Sequence, residues 1–307
     1  GSIMIPAMVS HGYDVGFASA INAASGTIGI IIPPSIPFVT YAVLTGSSVA
    51  SMFLGGMVPG LLMGLSLIAL TYGISYKRSY KDEQKATWHA RWVAFKNSIL
   101  ALFMPIIVIG GIYSGFFTPT EAAVVAVVYA LAVGVLVYRE LTLKTIMKVF
   151  TESAVSTAGI LFLIAAASLF GWILTNNRIP DAIAQWLMSI SKNPIIILML
   201  INLLLLSVGT FLDTVAALII LVPILFPISA QLGIDPVHFG LIICVNLAIG
   251  QVTPPFGICL FVACGVADIK LERIVKSVLP FILMLILDVI LVTYLPCLST
   301  WLPNALM

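Results

Sequence analysis

Long apolar runs interrupted by isolated polar residues dominate the chain, and their lengths set the first reading. A helix needs about 20 apolar residues to cross a bilayer, or about 17 at the short limit. Residues 52–76, 98–114, 122–138, 155–174 and 278–295 meet that length, as do 18–44 and 241–266, each with an interruption. Two shorter arms, 194–208 and 214–230, flank the polar sequence Gly209-Thr210-Phe211-Leu212-Asp213-Thr214. Their shortness and the acidic residue between them predict a re-entrant hairpin that turns back at mid-membrane, with two full spans as the alternative. Between the spans, Trp88 and Trp92 lie one helical turn apart beside Arg91 and Lys96, a pattern that suits a helix lying on the headgroups. Residues 140–150 read as a second interfacial helix. Thr118-Pro119-Thr120-Glu121 carries a helix start: Thr as cap, Pro first, Glu third.

Composition agrees with the pattern. Of 307 residues, 61% are hydrophobic and 8% charged, with a mean hydropathy of +1.17, whereas soluble domains are about a quarter charged. This excludes a large water-soluble domain, a disordered tail and a nucleic-acid platform. A net charge of +2 is too small to imply an acidic partner. Cys244, Cys259, Cys264 and Cys297 form no CxxC pair, so neither a zinc site nor a disulfide framework is indicated. No Walker loop, HExxH or nucleophile triad is present, and His11, His89 and His238 read as scattered loop residues. The expected class is therefore a membrane protein and not an enzyme.

The few charges orient the spans, because Lys and Arg collect on the cytoplasmic side. Lys77, Arg78, Lys81, Lys85, Arg91 and Lys96 share one loop; Arg139, Lys144 and Lys148 follow the fourth run; Lys270, Arg273 and Lys276 precede the last. Placing these inside accounts for twelve of the fourteen basic residues and leaves Arg178 and Lys192 outside. Asp288, within the last span, is expected either to find a helix partner or to lie near the outer surface.

A repeat is hidden in this background. Displacing the chain by 221 residues superposes Gly12 on Gly233, Asp14 on Asp235, Gly29 on Gly250, Pro33-Pro34 on Pro254-Pro255 and Pro59 on Pro280. Because 52–76 must run inward and its counterpart outward, the copies are predicted to be inverted. Inverted repeats with helices broken at matching places mark secondary transporters, with the substrate site near the midplane. The fold class expected is an all-α polytopic membrane protein with inverted repeats, broken helices and a re-entrant hairpin. The domain reading is 1–76, the end of the first repeat; 77–97, a cytoplasmic linker; 98–138, a scaffold helix pair; 139–150, an interfacial arm; and 151–307, the second-repeat transport module. The counterpart of the hairpin tip falls before Gly1, so the full protein is expected to extend upstream by on the order of a hundred residues or more.

The chemistry concentrates at the breaks. Paired prolines remove two backbone donors and push the preceding residue out of the helical region, which predicts unwinding over 29–33 and 250–254. Carbonyls freed at membrane depth need protein or an aqueous cavity to satisfy them, and sodium accepts such oxygens. Ser25, Thr27, Ser35, Asn246 and Thr253 add side-chain oxygens. For Ser25 and Thr27, packing through small polar residues is the competing reading. Thr214 opens a helix whose N-terminal amides favour an anion. Asp213 is either a helix cap or an ion ligand.

Gly1-Ser2-Ile3-Met4-Ile5-Pro6-Ala7-Met8, Ile32-Pro33-Pro34-Ser35, Phe117-Thr118-Pro119-Thr120-Glu121-Ala122-Ala123 and Gly250-Gln251-Val252-Thr253-Pro254-Pro255 together resemble the large membrane subunit of tripartite ATP-independent periplasmic (TRAP) transporters. The architecture is similar to that of divalent anion:sodium symporters. The resemblance implies sodium-driven uptake of an organic acid across the bacterial inner membrane by an elevator-like moving module. It also implies two partners, a small four-helix membrane subunit and a periplasmic binding protein. Carried over, it assigns sodium to Ser25, Thr27, Gly29, Gly209, Asp213, Asn246, Gly250 and Thr253, and substrate to Pro34, Ser35, Thr214, Pro255 and Gly257. A self-sufficient dicarboxylate symporter and a non-transporting membrane scaffold are the alternatives.

Overall fold

The computed structural model describes residues 1–80, 87–139, 141–179, 182–183, 185–186 and 193–307; of the residues invoked above, Lys81, Lys85, Glu140 and Lys192 lie outside them. The described residues form helices and no strand. By length and composition, six helical segments can cross a bilayer, and seven with one bent pair. The protein is a multi-pass membrane protein. Its chain divides into two compact units, Gly1–Lys81 with Leu169–Met307, and Asp82–Ser168.

In the first unit the helices run in order α1 (Met4–Ser10), α2 (Val15–Gly26), α3 (Ile28–Ile31), α4 (Ile36–Thr45) and α5 (Val49–Lys77). The second unit holds α6 (Trp88–Tyr113) and α7 (Pro119–Ala132). Helix α8 (Leu143–Asn176) contains the division. The first unit resumes with α9 (Pro194–Gly209), α10 (Thr214–Gln231), α11 (Pro236–Gly250), α12 (Ile258–Ala267), α13 (Leu271–Tyr294) and α14 (Cys297–Leu306).

The repeat is visible in backbone detail. Helices α2 and α11 begin 221 residues apart, after Gly12 and Gly233, both at positive φ (82° and 69°). Asp14 caps α2 by accepting from Phe17 N (2.9 Å), and Asp235 caps α11 by accepting from Val237 N and His238 N (2.9 and 3.0 Å). Both Pro-Pro bonds are cis.

Helix contacts between the copies occur in exchanged pairs. Helix α2 packs on α13 as α5 packs on α11; α2 on α12 as α4 on α11; α4 on α10 as α1 on α12. Such exchange is what a two-fold relation requires. The counterparts α5 and α13 are antiparallel: Ser66 Oγ donates to Asp288 Oδ2 (2.6 Å) near their middles. At one end, Asp14 meets both Tyr80, just beyond α5, through its backbone N (3.2 Å), and Arg273, in the first turn of α13 (3.6 Å). The copies are inverted.

Helix α11 is the hub of this unit. It is apolar on every side, and His238 to Gly250 are all buried, the placement expected of a helix without a polar face. His238 is therefore not a loop residue. Asp235 and Pro236 start the helix ahead of it, and its ring lies against Ser299 Oγ and the Thr293 carbonyl, each at 3.2 Å. His89 likewise falls within α6. Asp288 is buried against Ser66, the first of its two alternatives.

In the second unit, Thr118 and Glu121 form the full capping box of α7. Tyr129 Oη donates to the Leu100 carbonyl (2.8 Å) and joins α7 to α6. Helix α6 bends by 55° between Trp88–Lys96 and Ser98–Tyr113, so the Trp-bearing segment leaves the axis of the span. The expected separate helix at 140–150 is instead the start of the 34-residue α8. No helix breaker lies between Leu143 and the apolar run, so the hydrogen-bond ladder continues.

The Asp14 cluster gives a graded expectation. Asp14→Ala loses the cap and should destabilise the purified protein by about 1–2 kcal/mol. Arg273→Gln loses a partly exposed ion pair (side chains 60% and 40% exposed) and should cost under about 1 kcal/mol. Thermal unfolding of the two variants checks the order.

Candidate functional site

The hairpin tip and the broken helix of the second copy meet. Helix α9 is 16 residues long, or about 24 Å, too short to cross a hydrocarbon core of about 30 Å. Helix α10 has the length of a span, yet its N-terminus is fastened to Gln251, midway along the α11–α12 segment. The pair is a re-entrant hairpin. At the tip, Phe211 N and Leu212 N donate to the Val208 carbonyl at 3.0 Å, and Asp213 Oδ2 caps α10 by accepting from Val215 N at 2.9 Å.

Glycine makes the crossing close. A Cβ on Gly250 would lie 2.4 Å from Gly209 C and 2.5 Å from Gly209 Cα, both backbone atoms. Beyond it the helix opens where the prolines suggested: Gly250 closes α11, and 251–254 of the expected 250–254 are unwound. Turns carry the chain through 251–256, and α12 begins at Ile258. Gly257 is needed here because a Cβ would come within 2.6 Å of the Gln251 carbonyl. Phe211 and Phe256 pack at 5.2 Å between centroids.

Gln251 joins the pieces. Its Nε2 donates to Thr214 Oγ1 (2.7 Å) and lies 3.4 Å from Asp213 Oδ1. Its Oε1 accepts from Cys259 Sγ (3.6 Å) and its backbone carbonyl from Cys259 N (3.0 Å).

One turn before Gly250, Asn246 is fully buried in a polar chain. Its Nδ2 donates to Asn202 Oδ1 (2.8 Å) and to the Ile242 carbonyl (2.7 Å). Asn202 Nδ2 donates to Thr293 Oγ1 (3.0 Å), which donates to the Val289 carbonyl (2.7 Å). Both neighbours of Asn246 Nδ2 are acceptors, which fixes the amide's orientation. Asn246 Oδ1 is then buried without a partner among the described residues, a state that costs about 1–3 kcal/mol.

In the first copy the opening is displaced. Ile32 N still donates to the Ile28 carbonyl (2.8 Å), and the chain is extended at Ile32 and again at Ser35. Gly29 lies in a helical turn rather than an unwound one, because it is Ile32, directly before the first proline, that is pushed out of the helical region. The hydroxyls are committed locally: Ser25 to the Ile21 carbonyl and Thr27 to the Ala24 carbonyl, both at 2.7 Å, and Ser35 to the Ile30 carbonyl while capping α4.

Gly209, Asp213, Thr214, Gly250, Thr253, Pro255 and Gly257 thus share one junction, with Asn246 one turn away. Ser25, Thr27, Gly29, Pro34 and Ser35 lie along α2–α4 of the other copy. The copies approach at Gly26, where a Cβ would sit 3.5 Å from Cys259 Sγ. Sequence reasoning missed Gln251, Cys259, Asn202 and Thr293. Gln251 and Asn202 carried a usable signal, each being a lone amide inside an apolar run. The partners Cys259 and Thr293 carried none.

The family model described as "Tripartite ATP-independent periplasmic transporter, DctM component" matches residues 1–298. The chain is 46% identical to the isethionate TRAP transporter permease protein DctMQ of Oleidesulfovibrio alaskensis, over 96% of this chain and 47% of that protein. It is 42% identical to the C4-dicarboxylate TRAP transporter large permease protein DctM of Pseudomonas aeruginosa and 40% identical to the sialic acid large permease protein SiaM of Vibrio cholerae. Each of these two matches covers 99% of this chain and 71% of the relative. The chain therefore spans about half the first relative and about seven-tenths of the other two. Repeat, breaks and relatives agree: this chain belongs to the large permease (DctM) family of TRAP transporters, a family of transporters and not of enzymes.

Proposed function

We propose that the chain is part of the permease subunit of a sodium-coupled secondary transporter in a bacterial inner membrane, importing a small organic acid handed over by a periplasmic binding protein. A small four-helix membrane subunit is its membrane partner, and the tip-and-break module moves elevator-style. The observation that carries this reading is the tip–break junction of the second copy, within a family of transporters. The N-terminus of α10 favours an anionic group. Asp213 caps that N-terminus, Thr253 lies in the break just after Gln251, and Asn246 Oδ1 is a buried oxygen one turn before Gly250. A hydroxyl that donates to the carbonyl four residues back, as those of Ser25 and Thr253 do, keeps lone pairs for a cation. Sodium, a hard cation, suits this all-oxygen donor set. The cargoes named for relatives (isethionate, C4-dicarboxylates, sialic acid and 2,3-diketo-L-gulonate) are all organic acids.

The test is uptake by proteoliposomes holding the full-length permease and its small subunit. Uptake should require both a sodium gradient and the added binding protein. Uptake without the binding protein would favour the self-sufficient symporter, and no uptake in any full-length assembly would leave the scaffold reading. Within the site, Thr253→Ala should weaken sodium activation more than it lowers the unfolding midpoint; unchanged activation would remove Thr253 from the ion site.

A further inference from the structure

We propose that Gln251 is a positioning residue of the transport site, which orients the Thr214 hydroxyl as a hydrogen-bond donor toward the organic acid and fastens the hairpin tip to both halves of the broken helix. The proposal rests on the transport reading above. Its starting point is the repeat. Position 251 corresponds to Ile30 in the first copy, so an apolar residue serves where the second copy buries an amide (7% exposed). Burying an amide is costly unless its donors and acceptor are used, and here all are used.

The orientation of that amide is determined. Were it turned over, Oε1 would face the Asp213 carboxylate across 3.4 Å, acceptor against acceptor. With Nε2 on that side, its two hydrogens serve Thr214 Oγ1 and Asp213 Oδ1, and Oε1 receives the Cys259 thiol. Thr214 Oγ1 has then accepted a bond and still holds its own proton. At the first position of α10, that proton lies beside the first backbone N–H groups of the helix, of which Val215 N already serves Asp213 Oδ2. One side chain thus links Asp213 and Thr214 of the tip, the end of α11 and the first turn of α12. Loss of the amide donor at constant shape should free the tip and leave the Thr214 hydroxyl unoriented.

The test uses the full-length permease with its small subunit and binding protein in proteoliposomes, offered radiolabelled succinate, N-acetylneuraminate and isethionate in turn. Gln251→Met keeps the side-chain length and should raise the apparent KM of whichever acid is taken up by about tenfold, with the maximal rate within about twofold. Thr214→Val should do the same and Thr214→Ser should restore it. The double variant should be no worse than either single one, because both remove the same bond. An unaltered KM in Gln251→Met, or a double effect equal to the product of the single ones, overturns the proposal. If Gln251→Met does not accumulate in the membrane, the Thr214→Val and Thr214→Ser pair decides alone. A readout independent of transport is alkylation of Cys259 by N-ethylmaleimide in a Cys297→Ser background. Gln251→Met should speed it about fivefold by releasing the thiol, and an unchanged rate counts against the clasp even if no acid is transported. Absence of uptake by the unaltered assembly, with faster alkylation in the variant, refutes the transport reading and leaves the clasp standing.

Discussion

Replacing Gly250 by alanine is expected to reduce uptake by at least about a hundredfold, or to stop the protein accumulating. The added Cβ would lie 2.4–2.8 Å from the C, Cα and O atoms of Gly209. These are backbone atoms and cannot rotate away as a side chain would. Helices α9 and α11 must separate by about 1 Å to regain ordinary contact, in a core where overpacking costs about 1–3 kcal/mol. The separation falls at the junction itself, so the Gln251 bonds to the tip lengthen with it. Gly73→Ala and Gly265→Ala are the controls, since a Cβ at either position meets nothing within 4 Å. Both should express and transport normally. Membrane accumulation, thermal stability and uptake of the three variants decide the matter, and normal uptake by Gly250→Ala would show that the glycine crossing is not needed.

The second large effect separates two asparagines that touch. Asn202→Leu removes the acceptor of Asn246 Nδ2 while leaving Asn246 Oδ1 still unpartnered. It should cost about 1–3 kcal/mol, because a buried amide is left half-satisfied. Asn246→Leu removes the orphaned oxygen together with its amide and leaves Asn202 Oδ1 beside only Thr293 Oγ1 at 3.4 Å, whose proton serves the Val289 carbonyl. It should cost measurably less, or even stabilise. Sodium activation should follow the opposite order, with Asn246→Leu raising the sodium concentration for half-maximal uptake about tenfold and Asn202→Leu changing it less. Unfolding in detergent and sodium titration of uptake give the two rankings. Equal rankings in both assays would mean that Asn246 is a packing residue alone.

Much of the architecture was legible because membranes leave few choices. Apolar runs of span length, Pro-Pro pairs and recurring Gly and Asp residues specify the spans, the breaks and the inverted repeat. Basic residues at the end of one copy's span and at the start of the other's gave the inversion. What stayed hidden depended on which helix faces meet. Ser66 and Asp288 are far apart in the chain, and only the antiparallel seating of α5 on α13 pairs them. Asn202 stood out as polar, but its partners come from two other helices. The first break lies later than 29–33, because the residue directly before the proline pair leaves the helical region while the turn ahead of it stays coiled. The start of α8 differs from the separate helix its polar side chains predict, since a change from polar to apolar side chains does not interrupt backbone hydrogen bonding.

The antiparallel seating of α5 on α13 has a consequence for how such a chain is made. Both copies present the inserting machinery with the same succession of cap, broken helix and long span, and each must be threaded in the opposite sense. Their shared apolar pattern carries no information about direction. That information rests in Lys77 and Arg78 at the end of one span and Lys270, Arg273 and Lys276 at the start of its counterpart. By the positive-inside rule, moving these few charges is expected to change the sidedness of the finished membrane protein.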